Sequence, residues 1–334
     1  MRLLILGGTV FLGRALVDAA LARGHAVTLF NRGQHNPELY PDIEKLRGDR
    51  DGGLAALAGR EWDAVIDTCG YVPRIVGAAA EALADHVGRY VFISTISVYA
   101  DFSGDGPREE SPVGVLADAT VEEINGETYG PLKALCEQAV EAALPGRALI
   151  IRPGLIVGPH DVSDRFTYWP RRIAQGGDVL APAVPAMPVQ IIDVRDLAEW
   201  TIRMVEENRS GVYNATGPQD PLTFADVLDE CRAVTGGDAR VVWVDAGFLL
   251  EQDVGPWVEM PLWLTPDSWA LARTSIRRAL DAGLTFRPLT AIIQDTLVWD
   301  AARPPETQRR AGMARERERA LLDAWRQKAS DGAG

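Results

Sequence analysis

Sulfur, imidazole and positive charge are all in short supply in this 334-residue chain, and each shortage removes a class of protein. Cys69, Cys136 and Cys231 are an odd set with no Cys-x-x-Cys pair, which argues against a disulfide framework and a cysteine zinc site. His25, His35, His86 and His160 show no metal-ligand spacing, so no metal is expected. Lysine plus arginine number 34 against 47 aspartate plus glutamate, a net charge of −13 that discourages nonspecific binding to nucleic acid or anionic membrane. No apolar stretch reaches the length of a membrane span, and the chain starts on a strand-like run without a charged lead-in and cleavage site. The expectation is a cytoplasmic protein with no nucleic-acid or membrane partner.

Apolar residues make up 47 %, enough for a substantial core in one large or two modest domains. Leu3-Leu4-Ile5-Leu6 ends in Gly7-Gly8-Thr9-Val10-Phe11-Leu12-Gly13. Ala15, Leu16, Ala19, Ala20 and Ala22 then recur with helical spacing, and Ala26 to Phe30 reads as a second buried strand. Strand, glycine turn, helix and strand form a βαβ unit, whose glycines let backbone approach a pyrophosphate while the helix N-terminus offers N–H groups. A dinucleotide is therefore expected on Gly7, Gly8, Thr9, Phe11, Leu12 and Gly13. Further apolar strands, Asp63 to Asp67 and Tyr90 to Ile93, flank an alanine-rich helix from Arg74 to His86. The alternation predicts an α/β fold, a doubly wound parallel Rossmann sheet with its ligand at the carboxyl ends of the strands.

The end of the second strand normally carries an acid for the ribose hydroxyls, but here it reads Asn31-Arg32-Gly33. A missing carboxylate and an arriving guanidinium favour NADP slightly over NAD. Asp49 and Arg50, ahead of a small helix near Leu54 to Ala58, are candidates for the adenine, and the small Cys69 and Gly70 suit close approach of the cofactor. Ser94-Thr95-Ile96-Ser97-Val98-Tyr99 leaves the next strand at the same edge. A long polar loop from Asp101 to Glu127 then delivers the chain to Tyr129-Gly130-Pro131-Leu132-Lys133. A spacing of four puts the phenol of Tyr129 and the ammonium of Lys133 on one helix face. A cation held beside a phenol favours phenolate, so the pair can serve as a general acid/base.

With a glycine turn at the start, Ser-Thr at a strand end and Tyr-x-x-x-Lys opening a helix, the chain resembles the extended short-chain dehydrogenase/reductase superfamily, NAD-dependent epimerase/dehydratase type. Arg152-Pro153-Gly154 with Gly158-Pro159, the run from Ile191 to Ala198, and Val212-Tyr213-Asn214 look like further family segments. The resemblance runs from Met1 to about Gly217. It implies that Tyr129 exchanges a proton with the substrate oxygen, that Lys133 lowers the phenol's pKa and binds the nicotinamide ribose, and that Thr95 hydrogen-bonds the same oxygen. It adds Pro153 to the cofactor contacts and Ser97 and Tyr99 to the substrate side. A homodimer through the Tyr-x-x-x-Lys helix is also implied. Three departures stand out. Val10 replaces the central glycine of the usual turn; Ile96-Ser97 replaces the Asp-Glu that dehydratases use to eliminate water; and Leu155 stands where sugar-nucleotide epimerases commonly place an asparagine.

Asp161 to Pro188 mixes cations and aromatics, of which Arg165, Tyr168 and Trp169 are candidate substrate contacts. Trp257, Trp263 and Trp269 either line a pocket or form the core of a small subdomain. The expected organisation is a dinucleotide-binding domain over 1–160 with 189–216 returning to it, a smaller C-terminal substrate-binding subdomain from 161–188 and 217–330, and a disordered tail at 331–334. The expected activity is NAD(P)-dependent interconversion of a secondary alcohol and a ketone on a small molecule. The alternatives are an NAD-dependent sugar or sugar-nucleotide epimerase, and a non-catalytic nucleotide-sensing or RNA-binding relative.

Overall fold

A strand that is apolar along its whole length needs cover on both faces. Leu3 to Leu6, Val65-Ile66 and Leu149 to Ile151 have it, each being buried. In chain order the elements of the computed structural model, which describes residues 1–331, begin with β1 (Arg2–Leu6), α1 (Phe11–Ala22), β2 (Ala26–Asn31), β3 (Glu44–Arg47), β4 (Trp62–Asp67), α2 (Pro73–Leu83), β5 (Val87–Ile93) and α3 (Tyr129–Ala143). There follow β6 (Ala148–Pro153), β7 (Leu155–Val157), α4 (Tyr168–Ala174), β8 (Asp178–Pro182), β9 (Ile191–Asp193), α5 (Val194–Glu206) and β10 (Gly211–Ala215). Last come α6 (Phe224–Thr235), β11 (Arg240–Val244), α7 (Ala246–Glu251), α8 (Arg277–Asp281), α9 (Leu289–Ala301) and α10 (Arg315–Asp331). The chain forms two compact units.

Unit 1 takes residues 1–156, 191–219 and 273–286. Seven of its strands form one sheet in the order β10-β6-β5-β4-β1-β2-β3, with every pairing in it parallel. Helices α1 and α5 cover one face through Leu16, Val17, Leu197 and Trp200. Helices α2 and α3 cover the other through Val76, Leu83, Cys136 and Val140. This is the doubly wound Rossmann-like arrangement expected. The strand order reverses between β1 and β4, so a crevice for a ligand opens at their carboxyl ends.

Unit 2 takes residues 157–190, 220–272 and 287 onward. A parallel pair, β8 with β11, packs with helices α4, α6, α9 and α10. Few regular elements leave much of the core to large side chains. Tyr168, Trp169, Phe224 and Trp243 pack edge to face in series, with centroid separations of 4.9, 5.0 and 6.0 Å, and Trp263 is buried. Helix α10 is tied in by Glu318, buried against Arg172 at 2.7 Å and accepting from the Leu180 amide at 3.0 Å. Of the tail expected at 331–334, Asp331 is the last residue of α10 and residues 332–334 lie outside the described residues. Among the described residues no helix is long and apolar enough to cross a membrane.

Candidate functional site

The crevice of unit 1 starts at the glycine turn after β1. Gly7 and Gly8 adopt φ of 109° and 94°, values open to glycine. A Cβ on Gly8 would lie 2.5 Å from Leu29, and one on Gly13 would lie 2.8 Å from the Gly8 nitrogen. Bare glycines thus let the first turn of α1 close onto the turn. Val10 stands at the N-cap in extended conformation, 41 % exposed, and no side chain caps the helix. With no side-chain cap, the first N–H groups of α1 remain for an anion. These features fit a pyrophosphate.

Asn31 is bound into the turn itself. Its Nδ2 donates to the Gly7 carbonyl at 2.8 Å, and its Oδ1 accepts from the Gly33 amide at 3.0 Å and from Arg47. Asn36 likewise donates to the Thr9 carbonyl at 2.8 Å. Arg32 is more than half exposed, 3.9 Å from Asp49. Arg50, read from the sequence as an adenine contact, is instead turned inward. Its guanidinium grips Asp67 with two bonds of 2.7 and 2.6 Å. Asp67 ends β4 fully buried, and it also accepts from the Tyr90 hydroxyl at 2.8 Å and the Cys69 amide at 3.1 Å. A carboxylate with no contact to water needs such partners. Sequence reasoning passed over Asp67 and Tyr71; a charge closing an apolar strand was the available signal for the first.

Across the switch point, β5 ends at Ile93 and the chain turns through Thr95, whose hydroxyl accepts from the Ser97 amide at 3.1 Å and donates to the Ser97 hydroxyl at 3.2 Å. Helix α3 begins on this turn because residue 130 is glycine: an added Cβ would collide with the Ser97 carbonyl oxygen. The contact sets Tyr129, the first residue of the helix, beside the Thr95–Ser97 turn. Gly130→Ala is expected to displace the start of α3 and lower turnover at least about 10-fold, as small misplacements in catalytic sites do. Its circular dichroism should stay near wild type, and a fully active variant would count against the arrangement.

One turn along, Lys133 is buried, and its Nζ donates to the Gly70 and Ile93 carbonyls, both at 2.6 Å. The ammonium lies 4.0 Å from the Phe92 ring centroid and 5.3 Å from that of Tyr71. Burial pulls its pKa down to about 8, against the opposing pull of Asp67. Tyr71 follows Gly70, and its ring centroid is 6.4 Å from that of Tyr129. Burial and the neighbouring Tyr129 raise its pKa to about 12, so it is a neutral phenol near neutrality. Gly70 itself has no room for a side chain, with Phe92 and Val76 each 2.6 Å from where a Cβ would be. Burial also raises the Cys69 thiol.

Several expected substrate contacts are buried and bonded within their own units. Tyr99 gives its hydroxyl to Asn214 at 2.6 Å and takes one from Arg152 at 3.1 Å, closing a network with Glu137 inside unit 1. Trp169 is wholly buried in unit 2 with its indole N–H on the Pro261 carbonyl at 2.8 Å, and Tyr168 packs against it. Both lie on α4, whose buried side packs against Phe224 of α6. Arg165 bonds Ser163 at 3.1 Å and lies 5.6 Å from the Trp257 ring centroid. Pro153 and Leu155 are buried at and just after the end of β6. Among the described residues no cluster could hold a metal ion.

Residues 53–216 match the family model described as NAD dependent epimerase/dehydratase family; the match begins after β3 and so excludes the glycine turn. A 2-alkyl-3-oxoalkanoate reductase of Stenotrophomonas maltophilia (strain K279a) is 34 % identical over 48 % of this chain and 52 % of its own length. The chloroplast stem-loop binding protein of 41 kDa b of Arabidopsis thaliana is 24 % identical over 70 % of this chain and 63 % of its own. The chain thus spans half to two thirds of these two relatives. A 2′-dehydrokanamycin reductase of Streptomyces kanamyceticus is 25 % identical over 75 % of this chain and 72 % of its own. In fold, the chain is similar to UDP-N-acetylglucosamine 4-epimerase from Bacillus cereus, with a TM-score of 0.65 at 16 % identity over 90 % of this chain and 99 % of that one.

Proposed function

We propose, from the premise that residues 53–216 of this chain are a domain of the NAD-dependent epimerase/dehydratase family, that the protein is an oxidoreductase interconverting a ketone and a secondary alcohol on a small molecule. The observation that carries this reading is the bare Gly130, which seats Tyr129 beside the Thr95–Ser97 turn at the carboxyl edge of the sheet. A bound nicotinamide would supply or take the hydride. Hydride arrival builds negative charge on the substrate oxygen, so hydroxyl donors aimed at that oxygen stabilise the transition state. In reduction Tyr129 gives its proton to the forming alkoxide, and Thr95 donates to the same oxygen. The Thr95 hydroxyl is oriented for this by the Ser97 amide, whose bond occupies a lone pair and leaves its hydrogen free to swing from Ser97 to substrate. Lys133 keeps a positive charge one helical turn from the phenol, which favours the phenolate left after proton transfer. Two relatives are named as reductases of keto compounds, which agrees with this reaction. Stem-loop binding is not carried over to this chain, whose net charge of −13 opposes it.

NADP is the proposed cofactor, because Asn31 offers no carboxylate to repel a 2′-phosphate and Arg32 stands exposed beside it. Titration of cofactor-stripped protein with NADPH and NADH, followed by a ketone panel, tests the reading. Tighter binding of an exchangeable NADPH and consumption of it on a ketone are expected. Tightly retained NAD(H) with no net turnover would replace the reading with an epimerase, and binding of neither would end it.

The lysine also sets a pH dependence. A lowered lysine pKa means the cation is present below about 8 and lost above it. The kcat/KM for ketone reduction is expected to fall as pH rises through this value. Asp67, Glu137, Cys136 and Arg50 are the groups acting on Lys133, and all remain in Lys133→Met, which should lose most activity together with that limb. A limb that persists in the variant would assign it to another group.

A further inference from the structure

In a chain with 47 acidic against 34 basic residues, an arginine held in place without a carboxylate stands out, and Arg47 is one. It is the last residue of β3 and pairs in register with Asn31 of β2, so it reaches the same carboxyl edge as the glycine turn. Its Nη1 donates to the Asn31 Oδ1, and among the described residues it has no acidic partner. Its guanidinium lies flat on Gly33: a Cβ there would be 3.0 Å from Cζ, 3.1 Å from Nε and 3.2 Å from Nη1. Gly33, with φ of 74°, therefore serves the turn and also clears space for the guanidinium. Asn31, its amide committed to Gly7, Gly33 and Arg47, has no spare acceptor pointing outward for ribose hydroxyls. Arg32 stands next in sequence, paired to Asp49 only at 3.9 Å.

We propose that Arg47 and Arg32 together form a clamp for a phosphomonoester, the 2′-phosphate of NADP, and that Asn31 is the positioning residue that aims Arg47. This rests on the NADP reading above and adds to it a ligand from the edge strand. Arg47 supplies the fixed half, since Asn31 holds its Nη1 and the residue is otherwise exposed. A planar guanidinium can meet two phosphate oxygens at once, as a lysine cannot. Arg32 supplies the mobile half, exchanging Asp49 for the phosphate.

The test is calorimetric titration of the full chain with NADPH, NADH and adenosine 2′,5′-bisphosphate, for wild type, Arg47→Gln, Arg47→Lys, Asn31→Asp and Asn31→Ala. Arg47→Gln is expected to weaken NADPH and the bisphosphate by about 10-fold or more, as loss of a charge-assisted bond does, with NADH affinity within about 2-fold as uniform phosphate-independent binding requires. Arg47→Lys should recover only part of the loss. Asn31→Asp should move the preference toward NADH by placing a carboxylate against the phosphate. If wild type prefers NADPH and Arg47→Gln leaves the NADPH to NADH ratio unchanged, the clamp is wrong while the NADP reading stands. If wild type does not prefer NADPH, both fall. An unchanged ratio in Asn31→Asp would put the phosphate away from residue 31 and overturn the clamp; Asn31→Ala removes the oxygen that holds Arg47, and an unchanged ratio there would remove the positioning role.

Discussion

Tyr129→Phe is expected to lower kcat for ketone reduction by about 10²–10⁴-fold, the range for losing a positioned acid/base, with cofactor affinity close to wild type. The reasoning is local. Tyr129 opens α3 and is half buried, so the ring contributes packing that phenylalanine retains, including the contact with Tyr71. Only the hydroxyl is lost, and with it the proton that neutralises the forming alkoxide. Tyr71 lies near enough to raise the question of substitution, but a pKa raised to about 12 makes its phenol a poor proton donor. The double variant Tyr71→Phe/Tyr129→Phe separates the two: equal loss in single and double variants assigns the proton to Tyr129. Near-normal kcat in Tyr129→Phe, measured under single turnover with bound NADPH, would refute the assignment.

Arg50→Ala should be the most destabilising change in unit 1. It would strip Asp67 of both short guanidinium bonds and leave a wholly buried carboxylate with the Tyr90 hydroxyl and Cys69 amide alone. Breaking one side of a buried pair costs about 3–5 kcal/mol, far more than the pair is worth against a neutral replacement. The double variant Arg50→Ala/Asp67→Asn should recover a large part of the loss, because the uncompensated charge is gone. Urea denaturation of the single and double variants measures both values. A loss below about 1 kcal/mol, the scale of exposed pairs, would mean that water reaches Asp67.

The centre of the sheet was legible because β1, β4 and β5 are apolar runs punctuated by glycine, a local signal, whereas β3, Glu44–Arg47, has no such run. The glycine turn and the Tyr129-to-Lys133 spacing were legible for the same reason. The Asp67–Arg50 pair joins residues 17 apart and has no local pattern, so Arg50 looked like one more polar loop residue. Arg47 was invisible in the same way, since only strand pairing brings it beside Asn31. Tyr168 and Trp169 misled because aromatics near arginines suit a binding loop as well as a core; the structure decides by burying both. The 273–286 segment carries no hydropathy signal that would join it to a sheet formed so much earlier in the chain, yet it belongs to unit 1.

That last segment bears on how the protein is made. Strand β10 lies at the edge of the sheet against β6, and residues 273–286 bring Ala279, Leu284 and Phe286 to the core around Trp200. A ribosome delivers the N-terminal strands first and these pieces much later. Between the two events β6, apolar from Ala148 to Ile151, has an unpaired edge in the nascent chain, the kind of surface that chaperones shield and that otherwise aggregates. Translational pausing within residues 157–210 would prolong that interval, so the soluble yield of this protein should respond to the rate of synthesis there more than anywhere else in the chain.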